Sequence, residues 1–512
     1  MTEQISEMIK RRRWWILSIL SLSLVIIGLD NTIMNVALPT VQKHFQASAS
    51  ALQWMVDSYI LVYAGLLLML GAFGDRFGRK RALQIGLILF GGFSLFAAYA
   101  QTSGQLISAR ALMGIGGALI MPSTLSILVH VFPAHERGKA IGIWAGMAAI
   151  GIPLGPVLGG WLLEHFWWGS VFLVNIPIVL IALIAGAFLI PESRDTTVKR
   201  IDWLGAILSI AGLTALVYAI IEAPSRGWTD ALVLGGLVAA VVLLGLFVWY
   251  ERRTIQPMLH MGLFRHACLS VGSGSIGIAF LAMFGSIFLL TQYFQFVREY
   301  SPLAAGVRLL PFALGMIIAA PNSHRLVKRF GMKVVITIGL LIIAITLAIM
   351  SQLQVDTPYW FIGIAIAFTA FGMGLVMAPA SDAVMSVVPK ANAGVGSALN
   401  DTVRQVGGAL GVAILGSALN SMYASSMADK VVNLPVDVAA AAQNSVGAAV
   451  QISAQLPSTA QALLFSAAGN AFIEGVEVAI LIGAGIALLG AVIAALFMPG
   501  KAISEHEGEY HD

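Results

Sequence analysis

The chain has 512 residues, of which 58% are hydrophobic and only 11% are charged, and its mean hydropathy is +0.88. A soluble protein carries about 25% charged residues, so most of this chain must lie in a lipid bilayer. The net charge of +4 does not indicate a nucleic-acid binder, because Lys and Arg occur in short clusters between apolar segments. The single cysteine, Cys268, excludes an internal disulfide and a cysteine-based metal cluster.

Apolar segments long enough to cross a bilayer follow one another along the whole chain. A transmembrane helix needs about 20 mostly apolar residues, which predicts an all-α integral membrane protein with fourteen spans. They lie near 14–38, 51–74, 82–100, 104–129, 139–164, 169–190, 202–222, 231–250, 267–297, 304–321, 333–352, 358–388, 397–421 and 472–498.

The distribution of basic residues predicts the orientation of the spans. Of the 29 Lys and Arg residues, 22 fall on the side of the N-terminal arm and four on the other side, while three lie within spans. Basic residues concentrate in cytoplasmic loops. We therefore expect both termini in the cytoplasm.

The loop between the second and third spans is short and strongly basic. Residues Gly71–Lys80 read G-A-F-G-D-R-F-G-R-K, which resembles the G-x-x-x-D-R-x-G-R-K motif of the major facilitator superfamily. The motif positions that we expect to control conformational change are Gly71, Asp75, Arg76, Gly78 and Arg79. The resemblance implies a transporter.

A second basic segment, Lys328–Lys333, repeats the Arg-Phe-Gly-x-Lys skeleton of the first. Major facilitators consist of two six-helix halves related by an axis along the membrane normal, and the repeat fits that plan only if two spans are inserted between the halves. We predict an N-terminal six-helix bundle at 1–195, two extra spans at 196–258, and a C-terminal six-helix bundle at 259–512. The last bundle includes a long outer loop at about 425–471, whose secondary structure the pattern does not decide.

Acidic residues within the spans are functional candidates, because a carboxylate is costly to place in a bilayer. Asp30 lies in Leu29–Pro39, which resembles the L-D-x-T-I-x-N-V-A-L-P motif of drug:proton antiporters, although local hydrogen bonds could also satisfy it. Asp57 lies in the outer half of the second span. Asp401 is three residues from Arg404 on one helix face, so the two could simply neutralise each other.

Arg110 opens the segment Arg110–Ala118, which resembles a fourth-helix motif of the family whose arginine is implicated in proton transfer. Burial disfavours the charged form of a carboxyl group, and a nearby arginine favours it. We predict proton coupling by Asp30, Asp57 and Arg110, with Arg110 beside Asp57; a static Asp57–Arg110 ion pair is the alternative. Substrate contacts are predicted for Asp30, Asp57, Asp401 and Tyr59.

The fifth span carries glycines at every fourth position, so that one face can approach a neighbouring helix closely. Together with two prolines, which bend the helix, the segment resembles the G-x-x-x-G-P-x-x-G-G motif associated with antiporters in the superfamily. The positions are Gly151, Pro153, Gly155, Pro156 and Gly159. We expect this face to act in the conformational change of the transporter.

The spans contain one more buried acid than buried bases. This excess negative charge favours the binding of a proton or a cation in the cavity. Over nearly its whole length the chain resembles the 14-helix drug:proton antiporters, and within them the quaternary-ammonium exporters. The resemblance implies proton-coupled multidrug efflux, hence antibiotic resistance, with lipophilic cations such as ethidium and quaternary ammonium compounds as substrates. It also implies a multi-pass protein of the plasma (inner) membrane of a bacterial cell. Exporters of this type that take divalent cations carry an acid in the tenth span, and 303–321 contains none, so the resemblance argues against divalent cations. Three buried acids leave room for at least two protons per cycle.

Other functions remain as alternatives. The chain could export an endogenous antibiotic or another metabolite by the same mechanism. An enzyme is not expected, since neither H-E-x-x-H nor G-x-S-x-G occurs. We expect no cofactor, no metal and no nucleic acid, and a monomer whose partners are protons, cationic drugs and the lipid bilayer.

Overall fold

The computed structural model describes residues 2–194, 202–254, 257, 260–388, 393–432 and 434–499, and the regular structure in these ranges is helical. The helices in chain order are α1 (Thr2–Phe45), α2 (Ala49–Phe77), α3 (Arg79–Ala98), α4 (Ser103–Val131), α5 (Ala134–His165), α6 (Ser170–Leu173), α7 (Asn175–Leu189), α8 (Trp203–Arg226), α9 (Ala231–Glu251), α10 (Ala267–Gln292), α11 (Pro302–Val307), α12 (Pro311–Phe330), α13 (Met332–Met350), α14 (Tyr359–Val387), α15 (Ala393–Ala428), α16 (Val436–Asn444), α17 (Val446–Ser453) and α18 (Ser458–Phe497). A 3-10 turn precedes α10, and a π-turn (Tyr293–Val297) follows it.

Thirteen helices in the described part of the chain are long and apolar enough to cross a membrane. They coincide with thirteen of the predicted spans, and the remaining prediction, 139–164, falls on α5, which has 32 residues. The all-α membrane fold is therefore confirmed. The predicted boundary at 195–196 lies outside the described residues.

The predicted outer loop at 425–471 is largely helical. Helix α15 continues to Ala428, α16 and α17 follow, and α18 begins at Ser458 instead of near 472. The uncharged Ala-rich sequence explains the difference, because alanine has the highest helix propensity and helices outside the bilayer need no apolar run. Tyr423 donates a hydrogen bond to the Ala442 carbonyl at 2.9 Å, which ties α16 to α15.

Two helix turns at glycines with positive φ mark one end of the molecule. Gly78 (φ +125°) ends α2 and precedes α3, and Gly331 (φ +82°) ends α12 and precedes α13. Backbone angles of this kind favour glycine. Helices α4 and α14 also correspond, since each has 29 residues and an internal proline, Pro122 or Pro379. We call the end with the two glycine turns the basic end and the other the opposite end.

Helix packing divides the chain into two groups and an inserted pair. In the N-terminal group (α1–α7), α1 packs on α5 and α2 on α4; in the C-terminal group (α10–α15 and α18), α10 packs on α15 and α12 on α14. The inserted helices α8 and α9 pack on each other, and α8 also contacts α2 and α15. The most apolar windows of α1 and α10 are 83% and 78% buried, against 11% for α9. Helices α1 and α10 are therefore central, and α9 faces lipid.

Tryptophans on the surface form two belts, as expected where a protein crosses the two membrane interfaces. At the basic end the exposed tryptophans include Trp15, Trp203 and Trp249, and at the opposite end they include Trp167, Trp228 and Trp360. The surface between these belts carries many exposed aliphatic residues, such as Val241 and Ile317. This surface suits the acyl chains of a bilayer.

Candidate functional site

Arg110 forms a buried ion pair with Asp30 of α1. Its guanidinium binds the Asp30 carboxylate, and the two side chains are 1% and 0% exposed. Its Nε donates to the Met55 carbonyl oxygen at 3.1 Å, and the guanidinium carbon lies 4.4 Å from the centre of the Tyr59 ring. Arg110 therefore neutralises Asp30, and Tyr59 covers the pair through a cation–π contact.

Asp57 is fully buried, and neither of its carboxylate oxygens has a hydrogen-bond partner among the described residues. The predicted pairing with Arg110 is wrong, and so is the alternative of a static pair, because Arg110 binds Asp30. Asp57 follows Gln53 by one helical turn on α2 and shares its face, which packs on α15. Tyr59, only two residues further, points to a different side of α2 and meets Arg110.

Asp401 and Arg404 form an ion pair of 3.0 Å on one face of α15, as the spacing predicts. Arg404 also reaches the Ser381 hydroxyl at 3.5 Å and the Phe280 ring, whose centre lies 5.9 Å away. Of the three candidate acids, only Asp57 lacks a basic partner among the described residues.

Gln53 of α2 joins the two groups of helices near the opposite end. Its fully buried amide nitrogen lies 3.0 Å and 3.1 Å from the carbonyl oxygens of Val412 and Ala413, and its amide oxygen accepts from Asn420 at 3.2 Å. We call this set of bonds the Gln53 clamp. Gly416 makes room for it, since a Cβ there would collide with the amide. Sequence reasoning missed Gln53, although an amide in an apolar span is itself a signal.

The glycine face of α5 packs on α1 within the N-terminal group. A Cβ at Gly151 would lie 2.9 Å from the Val25 carbonyl oxygen, and one at Gly155 would lie 2.8 Å from that of Leu29. Gly159 faces Ile33, which also belongs to α1. This glycine face is therefore an interface inside one group.

The two groups of helices approach each other closely at a neighbouring face of α5. A Cβ at Gly160 would lie 2.6 Å from the Pro302 carbonyl oxygen, and the Pro156 carbonyl fills the space where a Cβ of Gly306 would stand. Gly160 and Gly306 were not among the predicted sites. The side chain of Pro153 lies outside the described part of the structure.

The basic loop after α2 is held against the end of α7. Arg79 forms an ion pair of 2.7 Å with Asp75, and its backbone N–H donates to the Ser193 carbonyl. A Cβ at Gly78 would lie 2.7 Å from a carboxylate oxygen of Glu192. The other two predicted motif residues make local contacts: Gly71 lies against Pro122, and the Arg76 guanidinium is 5.3 Å from the Phe77 ring centre.

A narrow apolar cavity lies between the two groups. Its lining residues are Thr32, Pro156, Met283, Ser286, Ile287, Leu290, Leu309, Phe312, Met350, Ile366 and Thr369. None of them is charged, and the Ser286 hydroxyl has no hydrogen-bond partner among the described residues. Asp30, Asp57, Asp401 and Tyr59, the predicted substrate contacts, do not line it. Methionine and phenylalanine walls with few polar groups suit a flat, polarisable molecule.

Helices packed in two groups around such a cavity are the arrangement expected of a secondary transporter. The sequence model of the Major Facilitator Superfamily matches residues 20–412. The chain belongs to this superfamily. This major facilitator is thus a multi-pass membrane transporter and not an enzyme.

Curated relatives of this major facilitator match over nearly its full length. The multidrug efflux pump LfrA of Mycolicibacterium smegmatis is 34% identical over 95% of this chain and 96% of its own. The methyl viologen resistance protein SmvA of Salmonella typhimurium is 34% identical over 96% and 99%. The tetracenomycin C resistance and export protein of Streptomyces glaucescens is 32% identical over 95% and 92%.

Solved structures agree on the fold of this major facilitator. A bacterial homolog of the human lysosomal transporter Spinster, in an inward-facing and unoccupied conformation, aligns with a TM-score of 0.65 over 94% of this chain and 97% of that chain. A D-xylose–proton symporter aligns with a TM-score of 0.60 over 95% and 98%. The sequence identities are 17% and 15%, so the likeness concerns the fold alone.

Proposed function

We propose that the protein is a 14-helix, proton-coupled drug exporter that expels lipophilic, mainly monovalent cations. Names of relatives such as LfrA support drug efflux. The observation that carries the proton coupling is the environment of Asp57. With Asp30 and Asp401 paired to arginines, the one excess negative charge expected from the sequence falls on Asp57.

Asp57 holds a proton when the opposite end is closed. An ionised carboxylate with neither a hydrogen bond nor a positive partner would be an isolated buried charge, which costs several kcal/mol. A neutral carboxylic acid fits the dry α2–α15 contact much better. Closure of the opposite end is therefore favoured by the proton, and loss of the proton opens it.

This switch couples the two fluxes. A drug cation that enters the cavity from the basic end favours release of the Asp57 proton to that same end, because the cation attracts the ionised carboxylate across the low-dielectric interior but gains little from the neutral acid. The ionised Asp57 then separates α2 from α15, and the drug leaves at the opposite end. Reprotonation of Asp57 from that side closes the transporter again.

The test is Asp57→Asn in proteoliposomes that contain ethidium. Asparagine keeps the shape of the side chain but cannot ionise, so the opposite end should stay closed, and ethidium should bind without proton-driven transport. Asp382→Asn is the matched control, because Asp382 is an exposed acid on α14. Proton-driven ethidium transport at the normal rate by Asp57→Asn would refute the proposal.

A second candidate substrate is a neutral or weakly basic antibiotic. The observation that favours it is the uncharged cavity wall, together with relatives named for tetracenomycin C and puromycin. Transport assays with ethidium, methyl viologen and puromycin side by side distinguish a monovalent cation, a divalent cation and an antibiotic. The mainly monovalent preference predicts that ethidium outcompetes methyl viologen.

The helix groups support a division into an N-terminal six-helix bundle (1–195), an inserted pair (196–258) and a C-terminal six-helix bundle (259–512). The distribution of basic residues supports the proposal that both termini are cytoplasmic. The corresponding glycine turns at Gly78 and Gly331 favour the relation between the two bundles. Accessibility of single cysteines placed in these turns to an impermeant reagent tests the orientation: intact cells should protect both turns.

A further inference from the structure

Three aromatic rings surround Arg308 at the opposite end of the molecule, where α11 leads into α12. The guanidinium carbon of Arg308 lies 3.9 Å from the ring centre of Tyr300 and 5.3 Å from that of Tyr359. The third ring is Phe294, whose centre is 5.9 Å from that of Tyr300 and 6.5 Å from that of Tyr359. The Tyr359 hydroxyl also donates to the Arg308 carbonyl oxygen at 3.1 Å, which ties α14 to this turn. We call the three rings the aromatic cage.

Arg308 has no acidic partner in the described part of the chain. None of the ion pairs between described residues includes it. Its buried Nε has no hydrogen-bond partner among these residues, while Nη1 donates to the Ala304 carbonyl oxygen of the same turn at 3.0 Å. The electron-rich faces of aromatic rings attract a positive charge. The aromatic cage therefore holds a cation by its ring faces.

The aromatic cage continues the walls of the apolar cavity toward the opposite end. Phe294 follows the cavity residue Leu290 by about one turn, and Arg308 directly precedes another lining residue. Tyr359 precedes the cavity residue Ile366 by two turns of α14, which places both on one face of that helix. At 1.5 Å per residue, Tyr359 lies about 10 Å beyond Ile366. A molecule that leaves the cavity at the opposite end therefore meets the aromatic cage.

We propose that the aromatic cage is an exit site for the exported cation and that Arg308 is its built-in competitor. Flat ring faces around a positive charge, which hold the guanidinium, also bind quaternary ammonium and other lipophilic cations. When water enters the opposite end, the long Arg308 side chain extends into it and keeps its charge hydrated. The outgoing cation then takes its place between the rings. The inference rests on the proposed function and adds a second substrate site to it.

The competitor explains how such a site releases the cation. A cage of free rings at the mouth of the transporter would retain a lipophilic cation and slow its efflux. The Arg308 guanidinium is tethered beside the cage and is therefore present at a high effective concentration. It returns to the rings and displaces the cation into the water, and closure of the opposite end restores the contacts with Tyr300 and Tyr359.

The experiment measures ethidium binding to the purified transporter by fluorescence titration, and proton-driven ethidium transport in proteoliposomes. Arg308→Gln removes the competitor but keeps an amide that can bond the Ala304 carbonyl of its own turn. It should bind ethidium about tenfold more tightly, the effect of one or two cation–π contacts made available. Because the cation then leaves more slowly, KM and kcat should fall together. Arg308→Lys keeps the positive charge and should stay close to the wild type.

Tyr300→Leu removes the ring that lies nearest the guanidinium. Combined with Arg308→Gln, it should return the ethidium affinity to near the wild-type value, because the vacated cage has lost one of its faces. Arg226→Gln is the matched control, since Arg226 is an exposed arginine at the same end but on α8, where it pairs with Glu222. This variant should keep the wild-type affinity, KM and kcat.

Two results would overturn the inference. One is wild-type affinity in Arg308→Gln, and the other is tight binding that persists when Tyr300→Leu is added, which would show only the loss of charge repulsion. Failure of the proposed function would look different, because the wild-type protein itself would then show no proton-driven ethidium transport.

Discussion

The Gln53 clamp should hold the opposite end closed, and Gln53→Leu should open it. Leucine has a similar volume but neither a donor nor an acceptor. Helical carbonyls such as those of Val412 and Ala413 already accept bonds within α15, so the substitution removes bonds without leaving these groups unsatisfied. The loss is then two to three ordinary hydrogen bonds, about 2–3 kcal/mol.

That free energy changes the population of the open state by roughly 30- to 140-fold, since each 1.4 kcal/mol is a factor of ten. A cysteine at the cavity residue Ile287, in a Cys268→Ser background, reports the change. Its reaction with an impermeant thiol reagent added to intact cells should accelerate in Gln53→Leu by up to that factor. Asp57→Asn should have the opposite effect on the labelling rate and slow it.

Gln292→Leu provides the matched control for the clamp. Gln292 is also a buried amide, but its nitrogen bonds the Phe288 carbonyl of its own helix at 3.2 Å. Its replacement should leave labelling at the wild-type rate. Equal labelling rates in Gln53→Leu and wild type, at equal expression, would refute the reasoning.

Three further predictions follow from the packing and the charges. Gly160→Leu should prevent closure at the opposite end, because the new side chain meets the Pro302 carbonyl; faster labelling of the cavity cysteine would show it, and unchanged labelling would contradict it. Gly78→Ala should lower the free energy of unfolding by about 1–3 kcal/mol, since the φ of +125° at this position suits glycine. Gly92→Ala is the control and should not lower it, because a Cβ at Gly92 meets nothing within 4 Å. Thermal melts in detergent compare the two variants. With Asp57 as the single proton site, exchange against a monovalent cation moves no net charge. Ethidium transport at zero pH gradient should then be independent of a potential clamped with potassium and valinomycin, whereas a second proton would add about 2.3 kcal/mol per 100 mV.

That last expectation differs from the sequence-based prediction of at least two protons. The sequence shows three acids in the spans, but it does not show that Arg110 reaches Asp30. Helix periodicity places Asp57 and Tyr59 on different sides of α2, yet nothing in the sequence says which side faces α4. The structure decides this, because Tyr59 lies on Arg110 while Gln53, one turn before Asp57, bonds to α15.

The spans themselves were predictable, since their length and hydropathy follow directly from the thickness of a bilayer. The contacts between particular helices were not predictable. The glycines of α5 predict that some helix approaches closely, but only the structure shows that Gly155 meets α1 while Gly160 meets the C-terminal group. Helix α18 was predicted too short because hydropathy detects only the part of a helix that crosses the bilayer, and its first turns from Ser458 lack that signal.

The inserted helix α8 makes the two flanks of the transporter unequal toward the lipid. Trp54 of α2 donates to a Glu222 carboxylate oxygen at 3.3 Å, and Ser417 of α15 donates to the Ile220 carbonyl at 2.7 Å. One helix thus bonds to both groups and covers the seam between α2 and α15. That seam is closed toward the lipid by a third helix, whereas the seam between α5 and α11 is closed by direct backbone contact at Gly160 and Gly306.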